Sequence, residues 1–317
     1  MRAIQYTEFG SSSVLRLVER DIPKPREGEV LIKVTAAGVN PVDVKIRNGL
    51  LVNRVPCVFP IVPGWDFSGK IVEHGFGARR FDIGEKVIGY CRRPTIQHGT
   101  YAEYITVPEV YISKAPKNIP LNDAAALPLA GLTAHQAIFT HGGLKKNEAI
   151  VIWGASGGVG SFAVQLAAQK DAKVIAIASK RNHEYLKKLG AKHTIDYITQ
   201  NVAEEVRKLF PEGVDLAFDT VGGDVFKQCF DIVKSTGRVV SILENLPQPS
   251  LLPKPEIDYR YCFVEPNSST LNNLRKMVEE GELTVYVEAE YPLEKAALAH
   301  EKISEGHTKG KIIIAMD

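Results

Sequence analysis

The chain has 317 residues, 44% of them hydrophobic and 24% charged, with a net charge of +2; that length accommodates two ordinary domains, and so even a charge balance gives no field to recruit nucleic acid or an anionic membrane. No apolar stretch reaches the ~18 residues needed to span a bilayer, and Met1-Arg-Ala-Ile-Gln-Tyr6 reads as a strand rather than a signal peptide, which predicts a cytoplasmic protein. Cys57, Cys91, Cys229 and Cys262 are scattered without a CxxC pair, which argues against a zinc site and a disulfide framework.

Short β patterns separated by Gly and Pro fill the first part, at residues 30–35, 69–73, 86–90 and 101–107, and predict a compact β-rich domain or barrel. Asp123 is placed to cap a helix through Ala124-Ala-Ala-Leu127 that continues over 129–139, with Pro128 interrupting. From 149 onward the periods alternate. Strands are predicted at 149–154, 172–178, 193–197, 214–220, 238–243 and 259–264, with helices near 158–170, 183–190, 203–210 and 224–234. The fold class is therefore α/β with a doubly wound parallel sheet. After Pro266 come a helix over 270–280, a strand at 283–288, another helix, and a strand at 311–315 that returns to close the first domain. The expected division is 1–123 and 266–317 for the β-rich part and 124–265 for the inserted α/β part, with the active site in the cleft between them.

In Ala149-Ile-Val-Ile-Trp-Gly-Ala-Ser-Gly-Gly-Val-Gly160 an apolar strand empties into a glycine turn, which opens onto the helical Ser161-Phe-Ala-Val-Gln-Leu-Ala-Ala168. Glycines here allow a tight turn and close approach of a pyrophosphate, which the helix N-terminus favours. No Gly-Lys-Ser/Thr follows, so a phosphate-transfer P-loop is excluded; a turn that only packs is the alternative. An NAD-binding unit carries a carboxylate about 20 residues on, at the end of its second strand. Ala178 stands there, followed by Ser179, Lys180 and Arg181, whose hydroxyl and cations suit the 2′-phosphate of NADPH. Alternatively, Lys180 and Arg181 begin an exposed helix capped within Asn182-His183-Glu184. Tyr197 flanks the adenosine end or is a surface aromatic.

Further motifs run in one order along the chain: Ala37-Gly-Val-Asn-Pro-Val-Asp-Val-Lys-Ile-Arg47, Pro63-Gly-Trp-Asp-Phe-Ser-Gly69, Phe81-Asp-Ile-Gly-Glu-Lys-Val87 and Gly99-Thr-Tyr-Ala-Glu-Tyr104. They continue as Leu127-Pro-Leu-Ala-Gly-Leu-Thr-Ala-His135, Leu189-Gly-Ala191, Phe218-Asp-Thr-Val-Gly-Gly223 and Gly310-Lys-Ile-Ile313. With the glycine turn, this set resembles the medium-chain dehydrogenase/reductase superfamily, and within it the zinc-free quinone oxidoreductase branch, over essentially the whole chain. The resemblance implies a GroES-like β-rich catalytic domain and a Rossmann NADPH-binding domain. Zinc alcohol dehydrogenases of this superfamily place a Cys ligand where Asn40 stands and a His-Glu pair where Trp65-Asp66 stands. They also carry a four-cysteine structural zinc loop that has no candidate here. Neither Asn nor Trp fills those ligand roles, and without zinc there is no Lewis acid to activate an alcohol.

The resemblance thus implies metal-free hydride transfer from NADPH to a quinone or an α,β-unsaturated carbonyl compound. It implies catalytic roles for Asn40, Asp43 and Lys45, with Lys45 the cationic donor to the developing enolate. A capping carboxylate and a solvated helix lysine are the plain alternatives for Asp43 and Lys45. Asn40 and Thr133 would approach the nicotinamide, although a buried helix threonine also bonds its own backbone. Gly154, Ala155, Ser156, Gly157, Gly158 and Val159 would meet the pyrophosphate. Val221, Leu243, Phe263 and Val264 lie at or past strand ends, with core packing as the alternative. Bacterial quinone oxidoreductases of the branch carry tyrosines where Lys45 and Leu51 stand, so Asn-Pro-Val-Asp-Val-Lys looks more like the enone reductases. The expected partners are a small-molecule acceptor and a second copy in a homodimer, with no nucleic acid and no membrane. The alternative function is an NADPH-binding protein with little turnover, as in the crystallins of this branch.

Overall fold

The computed structural model describes residues 1–246 and 248–316. Two compact units are present, one made of Met1–Leu132 with Glu265–Asp317 and the other of Thr133–Val264. In chain order the first unit contains β1 (Arg2–Gln5), β2 (Arg16–Glu19), β3 (Glu29–Val39), α1 (Pro41–Arg47), β4 (Cys57–Val62), β5 (Asp66–His74) and β6 (Lys86–Tyr90). It continues with β7 (Ile96–His98), β8 (Tyr104–Pro108), β9 (Ile112–Lys114), α2 (Leu121–Ala124) and the start of α3 (Pro128–His135). The second unit contains β10 (Ala149–Trp153), α4 (Gly158–Gln169), β11 (Lys173–Ile177), α5 (His183–Lys188), β12 (His193–Ile195), α6 (Val202–Leu209), β13 (Val214–Asp219), α7 (Asp224–Ile232), β14 (Val233–Ser241) and β15 (Asp258–Tyr261). The chain then re-enters the first unit with α8 (Ser268–Glu279), β16 (Val287–Pro292), α9 (Ala296–Ser304) and β17 (Lys311–Ala315).

The second unit holds a parallel sheet in the order β12-β11-β10-β13-β14-β15. Counted from β10 this is 3-2-1-4-5-6, whose order reverses between β10 and β13, the position where such sheets bind dinucleotides. Every residue of β10 is buried, as expected for a parallel strand covered on both faces. Its core includes Val151, Ile177, Val206, Phe230 and Val239.

In the first unit β16-β17-β3-β5-β6-β9 form a continuous sheet, with β8 added to β3. β17 pairs antiparallel with β3, Ile312 opposite Val39, so the end of the chain completes the sheet begun by residues 29–39, as the sequence predicts. The break between units falls after Leu132, later than residue 123, because α2 and the residues after it pack on this sheet. Ala125 and Ala126 share a buried cluster with Ala36 and Ile313.

Three local expectations are corrected. Asp123 does not cap a helix; it is the third residue of α2, which Pro120 precedes as N-cap. The helical stretch is interrupted before Pro128, over residues 125–127, rather than at it: α2 ends at Ala124 and Pro128 begins α3, where a missing N–H costs nothing, and residues 136–141 continue as a π-helix. The strand expected at 283–288 starts at Val287, because the N–H groups of Glu282 and Leu283 both donate to the Met277 carbonyl in the turn that ends α8.

Candidate active site

In the second unit the chain turns after β10 at Gly154, whose φ of +63° suits glycine. Thr220 donates its hydroxyl to the Trp153 carbonyl at 2.7 Å, which ties the end of β13 to the end of β10. At Gly160 a Cβ would lie 2.3 Å from the Gly154 carbonyl oxygen, so only glycine lets α4 start this close to the turn. Ala155 is buried and donates its N–H to Ile177 at 3.1 Å. The first bond of α4 runs from Ser161 N–H to the Gly157 carbonyl at 2.9 Å. The N–H groups of Gly158, Val159 and Gly160 therefore have no intrahelical acceptor. Those donors at the positive end of a helix, with bare backbone at Gly157 and Gly158 beside half-buried Ser156, fit a pyrophosphate.

The loop after β11 is fastened to this turn. Asn182, 8% exposed, donates Nδ2 to Ser156 Oγ at 3.0 Å and to Ser179 Oγ at 3.4 Å. Its side chain therefore does not cap α5, which it precedes. Lys180 and Arg181 are exposed beside it, and Tyr197 is exposed just past β12. Beyond β13, buried Asp219 accepts the N–H groups of Val221 and Gly222 on Oδ1, each at 2.8 Å. Its Oδ2 accepts the Ser241 hydroxyl at 2.7 Å, and Ser241 Oγ in turn accepts the Leu243 N–H at 3.1 Å. One carboxylate thus sets both Val221 and Leu243 past the carboxyl ends of their strands. Phe263 and Val264 follow β15, with Val264 buried and Phe263 half-buried, and Thr133 is 4% exposed.

In the first unit a buried polar cluster surrounds the start of α1. Asn40, Asp43, Asp66 and Lys311 are each at most 4% exposed. Lys311, the first residue of β17, donates Nζ to the Val39 carbonyl at 3.0 Å and to Asn40 Oδ1. An ammonium can only donate, so this contact fixes the Asn40 amide with its NH2 toward Asp66 Oδ1, at 2.8 Å. Asp66 Oδ2 accepts the Leu129 N–H at 3.2 Å. Gly38 leaves room for that carboxylate, since a Cβ there would sit 2.4 Å from Asp66 Oδ1. Asp43 Oδ2 accepts the Asn40 N–H at 2.9 Å and the Tyr101 hydroxyl at 3.2 Å.

Burial, then the like charge of Asp66, pushes the Asp43 carboxyl up to about 7, against the pull of the Asn40 N–H, Lys311 and Tyr101. Burial also raises Asp66, with Lys311 and its N–H donors opposing, and burial lowers Lys311. Asp43 also lines a pocket with Ile46, Val62, Trp65, Cys91 and Arg93.

The structure thus brings Asn40 and Asp43 together. Lys45 is half-buried, and positions two apart on a helix do not share a face, which separates it from Asp43. The lysine bonded to Asn40 is Lys311, which sequence reasoning left without a role, as it did Tyr101 and Asp219. Lys311, Tyr101 and Asp219 each stand inside a recognised motif, and that was their only signal.

The sequence profile of an alcohol dehydrogenase GroES-like domain matches residues 26–117, and that of a zinc-binding dehydrogenase matches residues 189–314. The chain is 33% identical to the chloroplast envelope quinone oxidoreductase homolog of Arabidopsis thaliana, over 99% of this chain and 98% of that protein. It is 30% identical to the NADPH-dependent alkenal/one oxidoreductase, chloroplastic, of the same plant, over 99% of this chain and 79% of that protein. The solved quinone oxidoreductase from Coxiella burnetii superposes with a TM-score of 0.89 at 35% identity, covering 100% of this chain and 99% of that one.

Removing Lys311 leaves two buried carboxylates without their cation. Lys311→Met is expected to cost about 3–5 kcal/mol of stability. Without the ammonium both carboxyls rise further, and a raised carboxyl stabilises the fold below its unfolded pKa and loses that contribution as pH climbs through the folded value. Urea unfolding at pH 5 and pH 8 is therefore expected to show the larger loss at pH 8; an equal loss at both would contradict the charge account.

Proposed function

We propose a function from one premise: the chain belongs to the medium-chain dehydrogenase/reductase superfamily, in its quinone and enone oxidoreductase branch. It is an NADPH-dependent oxidoreductase that reduces a quinone or an α,β-unsaturated carbonyl compound without a metal. The observation that carries this reading is the pair of loops joined by Asn182 in the second unit. The turn after β10 leads into α4, whose first N–H groups, at Gly158, Val159 and Gly160, lack intrahelical acceptors and suit a pyrophosphate. The loop ending β11 offers the Ser179 hydroxyl with Lys180 and Arg181, and no carboxylate, to a 2′-phosphate. NADPH, when bound, supplies the hydride.

The other cofactor residues in this reading are Thr133, Tyr197, Val221, Leu243, Phe263 and Val264. On the acceptor side, Asp43 serves from the pocket it lines, Asn40 holds Asp66 and Lys311 in place, and Lys45 adds a cationic donor. Negative charge on the reduced acceptor is what these groups must stabilise. Asn40 and Trp65 occupy positions where zinc-dependent members of the superfamily carry ligands, which supports reduction of an activated acceptor over alcohol oxidation. The Arabidopsis relative whose name specifies NADPH and alkenal/one acceptors supports the enone choice. Among the described residues no helix is long and apolar enough to cross a membrane. The compartment in this reading is the cytoplasm, which cell fractionation checks.

Oxidation of NADPH and NADH against a panel of quinones, enones and simple aldehydes tests the function. NADPH turnover with quinones or enones, persisting with a metal chelator, is expected. Retained NADPH binding with no turnover of any acceptor would leave a binding protein instead. Ser179→Asp sets a carboxylate against the 2′-phosphate and is expected to weaken NADPH about 10–100-fold while sparing NADH; an unchanged preference would overturn the cofactor reading. β15 is the last strand in the order of its sheet, and edge-to-edge pairing of β15 with a second copy would extend that sheet. A homodimer through β15 is expected in light scattering, and a monomer at micromolar concentration would contradict it.

A further inference from the structure

We infer that Asp43 holds a proton on its Oδ1 atom and delivers it to the reduced acceptor, and that Tyr101, His300 and Arg47 are the positioning residues that keep it there. This rests on the reductase reading above and assigns a source for the proton which that reaction needs.

The direction of each hydrogen bond in the chain is fixed by a group that can only donate. Arg47 Nη1 lies 3.1 Å from His300 Nδ1, and a guanidinium has no acceptor, so Nδ1 accepts. The neutral His300 ring then carries its hydrogen on Nε2 and donates it to the Tyr101 oxygen at 3.2 Å. Tyr101 is left to donate its hydroxyl to Asp43 Oδ2. With the Asn40 N–H, Oδ2 receives two donors, whereas Oδ1 is buried and has no hydrogen-bond partner. A proton on Asp43 therefore sits on Oδ1. On Asp66 an N–H donates to each oxygen, and both bonds favour its charged form.

The groups packed around Asp43 leave few charges beside it. From neighbouring elements come Tyr6, Tyr90 and Cys91; burial raises both tyrosines and pushes the cysteine up to about 12, so all three are neutral near pH 7. Burial also holds Tyr101 protonated, and burial with Arg47 pushes His300 down to about 3, so its ring is neutral. The remaining charges are Asp66 on β5, Lys311 on β17 and Arg47 on α1, and the pocket that Asp43 lines is also lined by Arg93 and by His98, which burial lowers. His300 cannot pass a second proton inward, because its Nδ1 faces a cation. The chain is an orienting device rather than a wire.

The step balances. The acceptor gains a hydride with its two electrons and becomes an enolate or hydroquinone monoanion, while the nicotinamide is oxidised. The Asp43 O–H bond breaks as a new C–H or O–H bond forms on that anion, and the carboxylate recovers its proton from water.

Two measurements test this. In the protein without cofactor, pH-difference infrared spectroscopy is expected to show a protonated carboxyl band that disappears near pH 7, is absent in Asp43→Asn, and moves to higher pH in Tyr101→Phe, which removes a donor to the charged form. In turnover, kcat for wild type is expected to fall on an alkaline limb near the same pH. Asp43→Asn is expected to lose about 100-fold or more and the limb with it, and Tyr101→Phe to shift the limb upward. A purely structural role for Tyr101 would lower activity and leave the limb in place. Wild-type turnover that survives in Asp43→Asn with the same pH profile, or no titrating carboxyl band, would overturn the inference. Absence of turnover in wild type itself would instead overturn the reductase reading.

Discussion

Lys311 brings a full positive charge into the interior of the first unit, and burying an ammonium costs several kcal/mol unless its surroundings compensate. The compensation comes from the other end of the chain: the carbonyl of Val39, the amide of Asn40, 271 residues away, and the charges of Asp66 and Asp43. β17 can occupy its place beside β3 only in a register that puts Lys311 against the start of α1. The same contact orients Asn40, and Asn40 then holds Asp66. Two carboxylates around one cation leave one negative charge in excess, and the raised Asp43 carboxyl relieves it by taking a proton near neutrality. The acid character of the pocket is thus a consequence of how the chain's two ends are joined.

The second unit solves a different problem with less charge. Its turn must bring backbone close to an anion, so side chains are removed at Gly157 and Gly158 and close packing at Gly160 sets the helix behind the turn. Neutral hydroxyls and one amide then fix the loops: Thr220 ties two strand ends, and Asn182 joins Ser156 to Ser179. Asp219 is the exception, a buried carboxylate whose three donors, two backbone N–H groups and a hydroxyl, satisfy it in place.

Much of the fold was legible because it is written in local periods. All six strands of the α/β sheet and the helices between them follow from apolar runs alternating with amphipathic ones, and the glycine turn announces itself. The misplaced strand at 283–288 shows the limit, since an apolar run does not reveal that a helix-ending turn already uses its N–H groups. Asn40 and Asp43 were legible because they belong to one short motif. Lys311, Tyr101 and His300 were not, because their role exists only once β17, the loop before β8 and α9 converge on α1. Lys45 belongs to the same motif as Asp43, and the helix sets the two on different faces. Asn182 entered only in the alternative of a helix cap within 182–184, and its side-chain partners lie across two loops.

The central claim, that Asp43 stores a proton inside the folded first unit, is tested most directly by counting protons on unfolding. Calorimetry at pH 6 in buffers of different ionisation enthalpy gives the protons exchanged when the chain unfolds. Comparing wild type with Asp43→Asn cancels other groups, His300 among them, which takes up a proton as it unfolds. The account predicts that wild type releases close to one proton more than the variant, because at this pH Asp43 is protonated when folded and ionised when unfolded. Equal proton exchange in the two proteins would contradict it.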